Sequence, residues 1–289
     1  MRGQPKEEIE LPGRLEPSFK KLLSIDYKLI KKDFEKWIKE KVEPETAKYY
    51  ITYLDKYLIE PIVDPQQVTD IISSIEGVGK RRWFQRAFRN LLTFLEIKGY
   101  PSDFIERFRK AIKVEKAGVR EVFISDEELL KAWDTIKQKS KKLQIIFKLL
   151  VYSGIRGKQA VAMLSNFDPD KMVFKDKIAR YPIAEISKGA KKGYWAYMPK
   201  DFAKELISFM KEFKGKITKK TVDHIIVGRV SASTIRKWHL NFMIENGVPE
   251  SVADFIQGRA SVTVGSTHYL NKTKQADEWY SRVVDKFPF

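Results

Sequence analysis

Two arginines and a tyrosine near the end of the sequence have residue types and spacings that suit chemistry on a phosphate. Arg236 precedes Arg259 by 23 residues, and Arg259 precedes Tyr269 by 10. Arg156 lies further upstream, after the glycine in Tyr152-Ser-Gly-Ile-Arg156. Guanidinium groups bind phosphate oxygens bidentately and stay charged at any working pH, and a deprotonated phenol is a nucleophile. The pattern therefore suggests a phosphate held by arginines and attacked by a tyrosine.

The charge of the chain predicts a polyanionic partner. The 289 residues carry a net charge of +17, from 55 Lys and Arg against 38 Asp and Glu. Double-stranded DNA is the leading candidate, with strongly salt-dependent affinity. An acidic membrane surface is the alternative, but the basic residues are distributed and do not form one amphipathic helix. The charged fraction of 32% and the lack of cysteine favour a thermophilic source.

Several classes of protein are disfavoured by composition. The chain contains no cysteine and three histidines, so we expect no disulfide, no metal and no cofactor. No apolar run approaches the ~20 residues that span a bilayer. The N-terminal residues lack the apolar segment of a signal peptide. We therefore expect a cytoplasmic protein with no membrane partner.

Hydrophobic periodicity predicts a mainly α protein with a small β-sheet, the α+β class, in two domains. A flexible arm (1–17) precedes a helical domain (18–112), a linker (113–122) and a second domain (123–289) that ends in a helix over 272–286. Three strands are expected in the second domain, at 173–174, 178–186 and 194–198. Ser125-Asp-Glu-Glu128 is a capping box that marks the first helix of this domain.

The helical domain contains a basic cluster at a predicted helix start. Glycine followed by cations at a helix N-terminus can hold a phosphate, although a solvated helix face is the alternative. The cations predicted to bind DNA here are Lys80, Arg81, Arg82, Arg86 and Arg89.

Five short motifs resemble the tyrosine recombinase (integrase) family, in particular archaeal viral and plasmid integrases of the fusellovirus type. The motifs are Tyr152-Ser-Gly-Ile-Arg156, Ser187-Lys188-Gly189, Ser233-Thr-Ile-Arg236, Gln257-Gly258-Arg259 and Thr267-His268-Tyr269. The resemblance covers roughly residues 18–289, as a helical pattern in the first domain and at the level of motifs in the second.

The resemblance implies a site-specific recombinase that cleaves and rejoins DNA through a 3′-phosphotyrosine. Its catalytic residues would be Arg156, Lys188, Arg236, Arg259, Ser233 and the nucleophile Tyr269. Its two domains would clamp duplex DNA, and a tetramer would assemble on two sites. Further DNA contacts are expected at Lys191, Lys192 and Lys237.

The motifs depart from the family pattern at three positions. Ser233 and Arg259 each stand where the family has a histidine, and Gln159 stands where an acidic residue is favoured. These changes affect the assignment of acid–base roles. His239 and His268 are expected to be structural, and Tyr280 is the reserve nucleophile.

Three other functions remain open from the sequence. A type IB topoisomerase shares the arginine and tyrosine chemistry but needs no second DNA site. An inactive DNA-binding relative is compatible with Ser233 and Gln159, and a basic RNA-binding or architectural protein is the third alternative. The apolar face of the terminal helix either packs on its own domain or docks on a neighbouring protomer.

Overall fold

The chain divides into two compact units, Met1–Val119 and Arg120–Phe289. The computed structural model describes residues 23–115, 118, 121–186, 193–259 and 269–289, with backbone alone at 269–271. The division falls inside the segment 113–122 that the sequence marks as a linker. The predicted arm lies outside the described residues.

The first unit is a bundle of helices whose starts follow from local sequence. They are α1 (Tyr27–Lys41), α2 (Pro44–Tyr57), α3 (Pro65–Ser74), α4 (Val78–Ile97) and α5 (Ser102–Ala111). Asp26 caps α1 by accepting a hydrogen bond from the Lys28 N–H at 3.0 Å. Asp64 and Gln67 form a reciprocal capping box at α3.

Helix α4 forms the centre of this bundle. The helix buries an apolar stripe, with Phe84, Phe88, Leu91 and Leu95 each 0% exposed. The ring of Tyr57 on α2 packs edge-on against Phe84, with centroids 5.6 Å apart. The opposite face of α4 therefore stays available for polar and charged residues.

The second unit contains the remaining described helices and the sheet. The helices are α6 (Asp126–Lys137), α7 (Lys141–Ser153), α8 (Gly157–Ser165), α9 (Lys200–Glu212), α10 (Lys219–Asp223), α11 (Ala232–Glu245), α12 (Glu250–Ile256) and α13 (Tyr269–Val283). The predicted capping box is confirmed, because the Ser125 N–H donates to Glu128 Oε2 and the Glu128 N–H donates to Ser125 Oγ. None of the described helices combines the length and apolarity needed to cross a bilayer.

The sheet has three antiparallel strands in the order β1 (Val173–Lys175), β2 (Ile178–Pro182) and β3 (Trp195–Pro199). The sequence predicts β2 to continue to Ile186, and this is wrong. Proline lacks the N–H that a strand ladder needs. Within the described residues β2 does not continue beyond Pro182, although the Ile183 N–H donates to the Tyr194 carbonyl at 2.9 Å.

The C-terminal segment packs on its own unit, as the first of the two alternatives left open by the sequence predicts. Tyr280 on α13 is 0% exposed, and its hydroxyl donates to the Tyr152 carbonyl at 2.8 Å. Phe287 packs against Phe242 with ring centroids 4.5 Å apart and edge-on against Tyr152 at 5.3 Å. Helix α13 spans 269–283 and a 3₁₀ turn follows at 284–286, so the predicted helix starts three residues late.

We expect Phe287→Ala to lower the free energy of unfolding by about 3–5 kcal/mol, because the change empties a buried aromatic site. Urea unfolding followed by circular dichroism measures this loss. Phe174→Ala is the matched control, since Phe174 is 42% exposed, and it should shift stability little. Equal effects of the two substitutions would contradict the packing of this segment in its own unit.

Candidate active site

Arg156 lies in the turn between α7 and α8. Helix α7 ends because Gly154 has a positive φ of 59°, a conformation that favours glycine. The Arg156 N–H donates to Gln159 Oε1 at 3.0 Å, so Gln159 caps α8 where the family favours an acidic residue. The Arg156 side chain donates from Nη1 to the Gly258 carbonyl at 3.1 Å. Arg156 is thereby held at both its backbone and its side chain.

Arg236 is buried on α11, with 8% of its surface exposed. Helix α11 begins after Ser231, whose hydroxyl accepts from the Thr234 N–H. Arg236 Nη1 donates to two backbone carbonyls, of Gly154 at 2.6 Å and of Gln257 at 2.7 Å. Its Nη2 is buried and has no hydrogen-bond partner within the described part of the chain.

Three guanidinium groups gather at this place. Burial, together with the positive charges of Arg156 and then Arg259, lowers the pKa of Arg236 to about 9, against an opposing effect of Asp254. Burial and the charge of Arg259 also lower the pKa of Arg156. The structure therefore brings together the three arginines that the sequence singles out. Their like charges favour an anion among them.

A buried polar network supports the arginines. Gln257 Nε2 donates to the Arg236 carbonyl and to His239 Nδ1, both at 2.8 Å. His239 Nε2 then donates to the Tyr152 carbonyl at 3.0 Å. These partners make His239 a neutral Nε2–H tautomer. Burial, with the charges of Arg236 and Arg259, lowers the pKa of His239 to about 3.

Gly154 fits against this network closely. A Cβ atom at this position would lie 2.5 Å from His239 Nδ1 and 2.8 Å from Gln257 Nε2. The sequence indicates Gln257 only as a motif position, and its role in holding Arg236 is visible only in the structure. A buried glutamine where the family has leucine is the signal that could have identified it.

The remaining predicted catalytic residues are only partly described. Tyr269 is the first residue of α13, but its side chain lies outside the described residues, as do Lys188, Lys191 and Lys192. Ser233 is exposed in the first turn of α11, one turn before Arg236, and its hydroxyl lies 3.1 Å from that of Ser231.

The basic cluster of the first unit is split by its internal contacts. Lys80, Arg86 and Arg89 are exposed on α4. Arg81 instead pairs with Glu115, with Nε 2.6 Å from Oε1, and donates to the Ile75 carbonyl at 3.2 Å.

Arg82 and Lys237 also lie against their own units. Arg82 is half-buried, and its Nε is buried without a hydrogen-bond partner in the described residues. Lys237 Nζ donates to the Val122 carbonyl at 3.3 Å and lies 4.9 Å from the ring centroid of Phe123. This lysine therefore holds the start of the second unit against α11.

Comparison with protein families gives one match, to the family described as archaeal phage integrase, over residues 121–286. No curated protein sequence matches the chain significantly.

Comparison with solved structures gives fold-level similarity. A λ integrase tetramer bound to a Holliday junction matches with a TM-score of 0.61 at 12% identity, covering 88% of this chain and 84% of that one. A λ integrase dimer bound to a COC′ core site matches with a TM-score of 0.61 at 13% identity, covering 92% of this chain and 82% of that one. XerH recombinase in a pre-cleavage complex with difH matches with a TM-score of 0.50 at 14% identity, covering 79% of this chain and 76% of that one. The predicted fold class is confirmed by the elements observed and by these similarities.

We expect Gly154→Ala to destabilise the protein by more than about 1 kcal/mol, because it combines a positive φ with a clash against buried side chains. Denaturant unfolding measures the change. Gly247→Ala is the matched control, since Gly247 has a φ of 84° but an added Cβ would meet nothing within 4 Å. Both variants strain the backbone at a positive φ, but only Gly154→Ala adds a clash with buried side chains. An equal loss of stability in both would contradict the close packing at Gly154.

We expect His239 to make the free energy of unfolding fall at acid pH. Its folded pKa of about 3 lies below the value of 6.5 for a free histidine, so the unfolded chain binds a proton first. The contribution of neutral His239 to the free energy of unfolding is complete above about pH 6.5. It is lost as pH falls toward 3, by up to about 1.4 kcal/mol per pH unit. Unfolding free energies of the protein and of His239→Gln, measured from pH 7 to pH 4, test this. The exposed His224→Gln should keep the slope of the unchanged protein, and an unaltered slope in His239→Gln would contradict the assignment.

Proposed function

The chain belongs to the archaeal phage integrase family, and we propose that it is a site-specific recombinase that integrates or excises a mobile DNA element. This membership confirms the resemblance that the sequence motifs indicate. The enzyme would cleave and rejoin DNA strands through a covalent phosphotyrosine, without a metal ion or cofactor in the reaction.

One observation carries the proposal, namely the buried Arg236, whose Nη2 has no hydrogen-bond partner among the described residues, beside two further cations. Burying a guanidinium without a negative partner is unfavourable, and the positive charges of Arg156 and Arg259 add to that cost. A scissile phosphate supplies an acceptor for Nη2 and adds negative charge to that of Asp254. The cluster therefore supports binding of a phosphodiester and of the more concentrated charge in its transition state.

We assign the chemical roles as follows. The Tyr269 oxygen attacks phosphorus after its proton is lost, and the bond to the 5′-oxygen of the leaving strand breaks. Lys188 gives a proton to that departing oxygen. Arg156, Arg236 and Arg259 hold the non-bridging oxygens throughout. The exposed Ser233 takes the position of the family histidine.

The reaction is reversible because the phosphotyrosyl bond conserves the energy of the broken bond. The 5′-hydroxyl of a second strand can attack it and complete an exchange. This chemistry needs two DNA sites held together, and we infer a tetramer on DNA by analogy with the λ integrase tetramer on its Holliday junction. We infer a cytoplasmic location, where a mobile element and its host DNA meet.

DNA binding by the first unit rests on its exposed cations. Lys80, Arg86 and Arg89 lie on the face of α4 away from the core and can neutralise phosphates. Lys80 also lines a cavity of about 560 Å³, together with Lys48, Lys56 and three tyrosines. Arg81 is less available because Glu115 already binds it. The thermophilic source remains a prediction from composition.

The nucleophile assignment is tested with a nicked duplex that traps the covalent intermediate. Tyr269→Phe should abolish the denaturation-resistant adduct, because it removes the attacking oxygen. Arg236→Lys should slow adduct formation about 10²–10³-fold, since a single ammonium cannot reproduce the planar set of donors. Tyr280→Phe is the control for the reserve candidate and should retain the adduct.

The outcomes discriminate among the possible functions. No adduct from the unchanged protein on any attachment-site duplex would contradict the enzymatic proposal and favour a DNA-binding relative. An adduct that persists in Tyr269→Phe would contradict the nucleophile. Relaxation of supercoiled DNA without exchange between two sites would favour a topoisomerase.

A further inference from the structure

A buried carboxylate on α13 contacts a polar or charged side chain from each of the three strands of the sheet. Asp277 is 6% exposed, and both of its oxygens contact Arg180 Nη1 on β2. Lys175 Nζ on β1 lies 2.7 Å from Oδ2, and the Tyr197 hydroxyl on β3 donates to Oδ1 at 3.2 Å. We call Asp277 and these three donors the Asp277 anchor. It joins one helix to every strand of the sheet.

The anchor leaves little freedom to its members. The Arg180 guanidinium lies over the Trp195 ring, 4.5 Å from its centroid. Tyr197 is 0% exposed, and burial together with the negative charge of Asp277 raises its pKa, so its hydroxyl stays protonated and donates. A buried carboxylate is stable only while such partners are in place. Helix α13 is therefore held in one orientation against the sheet.

The orientation of α13 matters because of what lies at its first residue. The helix begins at Tyr269, and Asp277 follows eight residues later, about 12 Å along the helix axis. A second buried polar contact of α13 is made by Tyr280, one turn beyond Asp277. Since a helix is a stiff rod, a small rotation at the anchor displaces the helix start.

We propose that Asp277 is a positioning residue for strand cleavage, which presents Tyr269 to the phosphate by tying α13 to the sheet through Arg180. The role rests on the proposed function, because it assumes that Tyr269 is the nucleophile. Misplacing a nucleophile by about 1 Å can lower a rate about 10²-fold without any loss of binding. Asp277 acts through Tyr269 and does not itself touch the reacting atoms.

The matched control is Asp285 in the same C-terminal segment. Asp285 also pairs with a lysine, as Lys177 Nζ lies 2.5 Å from its Oδ2, but its side chain is 67% exposed. Asp285→Asn therefore removes an acidic group of the same kind from the same region while leaving the buried contacts intact. An exposed pair of this type contributes little to stability.

The test compares Asp277→Asn with Asp285→Asn in the full chain. Single-turnover adduct formation on a nicked attachment-site duplex should fall about 100-fold in Asp277→Asn and stay unchanged in Asp285→Asn, with equal DNA affinity in both. Hydrogen exchange should rise at residues 269–277 of Asp277→Asn and stay unchanged at 232–245, the helix that carries Arg236. Adding Arg180→Gln to Asp277→Asn should slow cleavage no further, because the two residues act through one contact.

Three results would overturn the proposal. Cleavage by Asp277→Asn at the unchanged rate would remove the positioning role. Faster exchange across 232–245, or weaker DNA binding, would show a general loss of structure. Unchanged hydrogen exchange at 269–277 in Asp277→Asn would show that the anchor does not hold the helix start. This measurement does not depend on cleavage activity. Absence of an adduct from the unchanged protein would instead refute the proposed function.

Discussion

The burial of Arg236 is the constraint on which the proposed active site depends. The guanidinium of a residue that is only 8% exposed must be held by fixed acceptors, and here two backbone carbonyls, of Gly154 and Gln257, accept from the same nitrogen. Backbone carbonyls carry no net charge, so they orient the cation without neutralising it. The positive charge therefore remains available for a phosphate, and the remainder of the fold offsets the repulsion from Arg156 and Arg259.

The same arrangement explains the scarcity of histidine chemistry in the site. His239 is close to the arginines, but it is fully buried and bonded on both ring nitrogens, with a pKa of about 3. It can therefore neither take up nor release a proton near neutral pH. Ser233 and Arg259 stand at the two positions where the family has histidine, so the proposed site would depend on fixed charge. Such charge stabilises a transition state without titrating over the working range of pH.

Helix α13 links the core of the second unit to the predicted nucleophile. Its apolar side packs through Tyr280, and the segment after it packs through Phe287, so its orientation is determined by the unit to which it belongs. Asp277 adds a directional contact to this non-directional packing. Hydrophobic burial alone permits sliding and rotation, whereas a carboxylate with three donors does not.

The sequence by itself determined the fold class, the start of α6 and the set of three arginines, because the capping box, apolar periodicity and motif spacing are local signals. It overextended β2 past Pro182 and missed the five-residue helix α10, which is too short for a periodic pattern. Only the tertiary structure decided that Gln257 holds Arg236 and that Asp277 binds Arg180, residues 97 apart in the chain. Local patterns indicate that a polar residue will be buried, but its partner is chosen by how distant elements pack, and this information lies in the three-dimensional arrangement.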